Sequence, residues 1–345
     1  MSQRRRCPVT YKSWFALGRK LIGVAMLLAW LAAVTWLVGP AATLNSLERV
    51  DDYPLYTMHY YGGYQQALSA AGFLQSLLGA RPPPTERDWA CSLFAALGDA
   101  DHQVYGRNFD WQYSPALLLF TNPPDGYASI SVVDIAYLGY GGERAVALSE
   151  RPLVDRVALL GAPLLPFDGM NEHGLAVGMA AVPPGGMRRD PSKETLDSLM
   201  VIREMLDHAR DVDGAVAILG SYNIDMGGGP PLHYLVADAS GRAALVEFYQ
   251  GEMHVIPNQA AWHLATNFLR AAAGDAPEGR CWRYDTLEQR LSRSEGRITP
   301  AEAMALLADV SQGATQWSVV YEMGNGAVNM AMGRGYGNVH TFELR

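Results

Sequence analysis

Cysteine is scarce in this chain: Cys7, Cys91 and Cys281 are the three present among 345 residues. An odd, sparse set of this kind does not build a disulfide framework, so a cysteine with a role here acts as a free thiol. Basic clusters are absent beyond the first twenty residues and the net charge is -8, which removes the electrostatic footprint of a nucleic-acid binder. The eight histidines include no pair at helical metal spacing and no HExxH, so the sequence offers no zinc site. A GxSxG elbow is missing as well. Glycine-rich residues 226–231 lack the strand before and helix after that a phosphate loop requires, and read as a surface loop. No cofactor is called for. Apolar residues, by contrast, make up 49% of the chain, enough to bury one large domain or two small ones around a small-molecule site.

The first twenty residues carry Arg4, Arg5, Arg6, Lys12, Arg19 and Lys20 with no acid, and Leu21 to Val38 follows as an almost unbroken apolar run. Its length exceeds a signal-peptide core of roughly 7 to 15 residues and just reaches a spanning helix. The expectation is a basic cytoplasmic tail (1–20) and a transmembrane anchor (21–38), with everything beyond about residue 40 extracytoplasmic, periplasmic or extracellular. A cleaved export signal ending near Gly39 to Ala42 is the competing reading. Residues 39–90 resemble a pro-region: a tyrosine-rich stretch, a helical pattern through Leu68, Phe73, Leu74, Leu77 and Leu78, then Pro82, Pro83 and Pro84 as an exposed breaker just before Ala90 and Cys91.

Cys91 to Trp111, CSLFAALGDADHQVYGRNFDW, predicts a β-hairpin: an apolar arm from Ser92 to Leu97, turn residues Gly98, Asp99 and Asp101, and a return arm from Gln103. Folding back brings Arg107 and Asp110 towards Cys91. The arrangement has a use if Cys91 begins the mature chain. A free α-amino group, with a reference pKa of roughly 7.7 to 8.0, can then take the thiol proton as general base. Arg107 would lower the thiol pKa, and Asp110 would hold the amine by hydrogen bonding.

Cys91-Ser92 followed at this offset by Gly106-Arg107-Asn108-Phe109-Asp110-Trp111 resembles the nucleophile hairpin of the cysteine N-terminal nucleophile hydrolases. These are linear amide hydrolases that include choloylglycine hydrolase and penicillin V acylase, and the processed acid ceramidase and acyl-CoA:6-aminopenicillanic acid acyltransferase branches are similar. A second resembling segment is Phe167 to Val177, with its Asn171-Glu172-His173-Gly174-Leu175 turn, where Asn171 and Gly174 suit positive φ and His173 is a turn residue. WHLATN, Trp262 to Asn267, is similar to the family segment whose asparagine amide donates to the oxyanion, which implies that role for Asn267. Trp282-Arg283-Tyr284 matches the Arg-aromatic segment and implies Arg283 as a second cation of the site. Ten residues past Asn171, where many family members carry asparagine or tyrosine, this chain has Ala181; the family's contribution there is a backbone N–H, which alanine retains.

The remaining pattern predicts a strand at Tyr127 to Leu138, a helix at Glu194 to Arg210, a shorter one at Asp211 to Leu219, and strands at Leu232 to Asp238, Ala243 to Gln250 and Met253 to Ile256. Thr299, Pro300 and Glu302 signal a capped helix. Gln316 to Met323 and Ala327 to Met332 flank an Asn325-Gly326 hairpin turn, and His340 to Leu344 is a last strand. Leu117, Leu118, Leu119 and Phe120 read either as an apolar wall for an acyl group or as core. The fold class is α+β, and the resemblance, which covers roughly residues 91–345, implies a four-layer αββα sandwich of two antiparallel sheets behind the N-terminal membrane helix. It implies a hydrolase of linear, non-peptide amides in small N-acyl substrates, with Cys91 released by autoprocessing between Ala90 and Cys91. An acyltransferase on the same scaffold and a non-catalytic membrane-anchored binding domain are the alternatives.

Overall fold

The computed structural model describes residues 38–64, 90–227, 229–274 and 277–344. The apolar run Leu21 to Val38, all but its last residue, lies outside them, as do the helical pattern around Leu68 to Leu78 and the proline breaker. Among the described residues no helix is long and apolar enough to cross a membrane.

Two sheets face each other. The nine-stranded sheet runs in the order β1 (Glu48–Asp51), β2 (Leu55–Tyr60), β5 (Ala116–Thr121), β6 (Ser129–Asp134), β7 (Asp168–Asn171), β8 (Ala176–Ala181), β11 (Leu232–Ala237), β12 (Ala243–Tyr249) and β13 (Glu252–Pro257). The six-stranded sheet runs β14 (Trp262–Ala265), β3 (Ala90–Ala96), β4 (Val104–Asp110), β15 (Thr315–Glu322), β16 (Ala327–Met332) and β17 (His340–Glu343). Helices α1 (Met200–His208) and α2 (Val212–Ser221) lie over the first sheet, and α4 (Trp282–Ser294) and α5 (Pro300–Asp309) over the second; α3 (Arg270–Ala273) is a single turn between them in sequence. The layers are therefore helix, sheet, sheet, helix, an α+β sandwich.

Alternation decides which side chains meet. In β3, Cys91, Leu93 and Ala95 join the core between the sheets, whereas Phe94 and Ala96 join the cluster under α4 and α5. β4 divides the same way, with Tyr105 and Phe109 inward and Val104 outward. The hairpin pairs Cys91 with Phe109, Leu93 with Arg107 and Ala90 with Asp110. Gly106 stands opposite Phe94 because a Cβ there would lie 2.4 Å from the Phe94 ring.

Three expectations need correction. The sheets are not purely antiparallel: β2 pairs with β5 in parallel, the two being joined through the β3–β4 hairpin in the other sheet. The described part of the pro-region thus belongs to the fold, with Leu55, Tyr56 and Met58 fully buried. The strand expected from Tyr127 to Leu138 stops at Asp134, whose side chain caps a 3-10 turn, Ile135–Leu138; further 3-10 segments up to Leu164 pack with Leu44, Leu47, Tyr56 and Met58 over the outer face of that sheet end. The helix expected from Glu194 begins only at Met200. Residues Thr195–Asp197 form a short strand, β9, parallel to β10 (Asn223–Asp225), and Asp197 accepts the Leu199 and Met200 N–H groups at 2.8 and 3.4 Å, so the carboxylate marks the helix start. The Thr299/Glu302 capping box and the β15–β16 hairpin form where the sequence places them.

Candidate active site

Cys91 lies near the start of β3 with its side chain between the sheets, 1% exposed in the uncut chain. Arg107, on the adjacent strand and the same face, places Nη2 3.9 Å from Cys91 Sγ. Its Nη1 donates to the Phe167 carbonyl at 3.1 Å and to Asp168, whose other oxygen accepts from the Tyr321 hydroxyl. Arg107 and Asp168 are both wholly buried, so each charge depends on the other. Burial works to lower the guanidinium pKa, but the Asp168 charge and hydrogen bond outweigh it and hold the proton more tightly than usual.

The thiol does not gain what the sequence suggested. Burial is the largest influence on Cys91 and pushes its pKa up; the Arg107 charge acts the other way but is already paired with Asp168, and Asp110 adds to the rise. In the uncut chain Cys91 is a neutral thiol.

Asp110 occupies a different place from the one expected. Three positions past Arg107, it falls on the opposite face of β4, towards the helices. There it accepts from Gln312 Nε2 at 2.6 Å and from the Thr315 hydroxyl, with Arg283 Nη1 4.0 Å away. Burial raises its pKa, against those hydrogen bonds and the Arg283 charge. The residue that holds the Cys91 nitrogen is Asn267: its Oδ1 accepts the Cys91 N–H at 2.8 Å.

The same Oδ1 accepts Arg283 Nη2 at 2.8 Å, so two donors fix the orientation of the amide. Asn267 Nδ2 donates to the Ala181 carbonyl at 2.8 Å, where the sequence reading had it facing an oxyanion. Ala181 ends β8. Since the next residue's N–H, that of Val182, bonds across to Pro231, strand alternation turns the Ala181 N–H and C=O to the opposite edge, the one Asn267 occupies. Arg283, in the first turn of α4 and buried, donates through Nη1 to the Cys91 carbonyl and to Ser92 Oγ, the latter at 3.0 Å. Cys91, Arg107, Asn267, Ala181 and Arg283 thus form one connected cluster with Asp110 at its helix-facing side.

Asp168, Tyr321, Gln312 and Thr315 were not singled out from sequence. Asp168 had one available signal, since a buried arginine on a hairpin needs a carboxylate and Asp168 lies in the FDGMNEHGL segment. A cleft of about 50 Å³ is lined by residues including Tyr137, Phe167, Met179, Leu199 and Leu232, and Phe167, whose carbonyl accepts from Arg107, is the lining residue that links it to the cluster. Leu117, Leu118 and Leu119 do not line it. They are fully buried, Leu118 between the sheets and its two neighbours against the outer cluster.

A family model described as acyl-coenzyme A:6-aminopenicillanic acid acyl-transferase matches residues 163–326. The fold is similar to that of a mutant conjugated bile acid hydrolase from Clostridium perfringens, with 15% identity, a TM-score of 0.54, and coverage of 74% of this chain and 92% of that one. A second variant of the same hydrolase matches with 14% identity, a TM-score of 0.53 and the same coverage. Penicillin V acylase from Agrobacterium tumefaciens matches with 16% identity, a TM-score of 0.50, and coverage of 74% and 86%. The family model over residues 163–326 and the shared sandwich fold support the resemblance of this chain to the N-terminal nucleophile group of linear amide hydrolases.

Proposed function

We propose that this protein is an acylase whose nucleophile is Cys91, released at the N-terminus by cleavage of the Ala90–Cys91 bond. The observation that carries the reading is that both ends of Cys91 are already held: its nitrogen by Asn267 at 2.8 Å and its sulfur by Arg107 at 3.9 Å. In the uncut chain that nitrogen is an amide without a basic lone pair. Attack of Sγ on the Ala90 carbonyl breaks the Ala90–Cys91 C–N bond, the thiol proton passing to the nitrogen, which is freed as an amine; hydrolysis of the thioester left on Sγ then releases the Ala90 carboxylate and restores the thiol.

The amine then takes the thiol proton, which a neutral, buried thiol still carries. Sγ adds to the carbonyl of an N-acyl amide, and the oxyanion is received by the Ala181 N–H and the N–H of Asn267 Nδ2 not used on Ala181. Collapse expels the leaving nitrogen, protonated by the Cys91 ammonium, and leaves a thioester. Water, deprotonated by the amine, releases the acid and restores the thiol. The cleft beside Phe167 receives the acyl group. Acyl transfer to an amine in place of water is a second reading, favoured by the description of the matching family model. The basic leader and apolar run fit a membrane-anchored enzyme with this domain on the extracytoplasmic side, which an alkaline phosphatase fusion near residue 50 tests by activity against silence.

Intact-mass measurement and N-terminal sequencing of active protein test the central claim, with a chain of residues 91–345 beginning at Cys91 as the expected result. Full amidase activity from an uncut chain, or from Cys91→Ala, overturns it. Adding a primary amine and identifying the product separates hydrolysis from transfer.

A further inference from the structure

The segment that carries Asn267 leaves β14 at Ala265 and turns into the single helical turn of α3. Something must hold this turn, because Asn267 reaches across from the six-stranded sheet to the Ala181 carbonyl of the other. A carboxylate does so. Glu247, on β12 and fully buried, accepts the Arg270 N–H at 2.9 Å and the Ala271 N–H at 2.7 Å, one on each oxygen. His233, on the neighbouring strand β11, braces it with Nδ1 2.9 Å from Glu247 Oε1. Since a carboxylate accepts, Nδ1 carries the proton. The other ring nitrogen of His233 has no partner among the described residues, so Glu247 is what this buried imidazole serves.

The side chain of Arg270 completes a loop back to the site. It donates to the Tyr284 hydroxyl, next in sequence to Arg283, which itself holds Asn267 Oδ1. Burial pushes the Glu247 pKa up, but the bond and charge of His233 and the Ala271 and Arg270 N–H groups bring it below the usual carboxylate value, so the group is ionised at neutral pH. A buried carboxylate is a poor device for stability, since an apolar residue in its place is often neutral or better. It is a good device for fixing two backbone N–H groups in one orientation.

We propose that Glu247, braced by His233, is a positioning residue for Asn267, holding the turn that aims the asparagine at Cys91 and Ala181. The proposal rests on the amidase reading above. Glu247 does not touch the reacting atoms; it acts through the Arg270 and Ala271 main chain.

The test uses the processed full-length preparation and a series of N-acyl aminomethylcoumarins as probes. Glu247→Gln replaces one acceptor by a donor facing an N–H, and kcat is expected to fall about 10- to 100-fold with KM changed less than about threefold, an effect of the size seen when supporting residues of a site are lost. Glu247→Asp, which keeps both acceptors, recovers part of kcat, and His233→Asn, whose amide can still donate to the carboxylate, retains more than His233→Ala. In an Asn267→Ala background, Glu247→Gln adds less than about twofold, because its effect passes through the asparagine. Cys91 alkylation by iodoacetamide stays at the wild-type rate in Glu247→Gln, which also shows that the protein is folded and the thiol environment intact. Wild-type kcat in Glu247→Gln, or effects that multiply independently with Asn267→Ala, overturn the proposal and leave the amidase reading standing. A wild-type protein that is processed yet cleaves none of the probes counts against the amidase reading, and the positioning role falls with it.

Discussion

The pair formed by Arg107 and Asp168 offers the sharpest test of how this site is held. Both side chains are wholly buried, and Asp168 also accepts from Tyr321. Asp168→Asn keeps the shape but removes the charge, and its amide presents an acceptor to only one of the two donors. The guanidinium is then a buried cation without a counter-charge, a change that costs about 3 to 5 kcal/mol. Removing both charges together, as Arg107→Met with Asp168→Leu, leaves no ion to desolvate and costs far less than the sum of the single changes. The measurement is urea unfolding in a Cys91→Ala background, which keeps the chain uncut and the transition comparable between variants. In proteins that retain Cys91, Asp168→Asn also leaves the Arg107 charge less compensated 3.9 Å from Sγ, so iodoacetamide alkylation near pH 8 becomes faster. An Asp168→Asn protein within about 0.5 kcal/mol of its parent, well below the range for a broken buried pair, or single-variant costs that simply add, refutes the pairing argument.

Other outcomes follow from the packing. With the proposed cleavage before Cys91, the N-terminal fragment is expected to remain bound, because buried Leu44, Leu47, Leu55 and Met58 alone contribute roughly 6 to 12 kcal/mol of transfer free energy; elution of residues 91–345 alone on native size exclusion counts against this. Burial first, and the nearby Arg270 cation besides, lower the His263 pKa from 6.5 to about 4, against the Ile256 hydrogen bond and Glu247. The unfolded chain therefore takes up a proton that the fold refuses. This contribution is complete above pH 6.5 and is lost as pH falls towards 4, a change of about 3 kcal/mol, and an unaltered pH slope of urea stability in His263→Gln argues the other way. Leu118→Ala, in the core between the sheets, lowers stability by about 2 to 5 kcal/mol without changing the order of preference across an acyl-length series, and a shifted preference restores the apolar-wall reading of Leu117 to Phe120.

How much of this was legible in the chain depends on the distance over which each interaction acts. The β3–β4 hairpin, the Thr299 capping box and the Asn325-Gly326 turn are made by residues close in sequence, and pattern and turn chemistry locate them without knowledge of the rest. Cys91, Arg107, Asn267 and Arg283 sit in recognisable segments, and the fold brings all four into contact. The side on which Asp110 lies follows from strand alternation, yet it becomes visible only once the hairpin register is known. The start of α1 was misplaced because Leu196 continues the helical spacing, while a non-local pairing with β10 draws Thr195 to Asp197 into a strand. Tertiary structure alone decided the rest: the parallel pairing of β2 with β5, the partnership of Asp168 with Arg107 across 61 positions, and the clamp of Glu247 on the turn after Asn267. A buried charge must find its counterpart, but the sequence does not say which carboxylate the two sheets will bring within reach, because that choice is made by packing, not by local propensity.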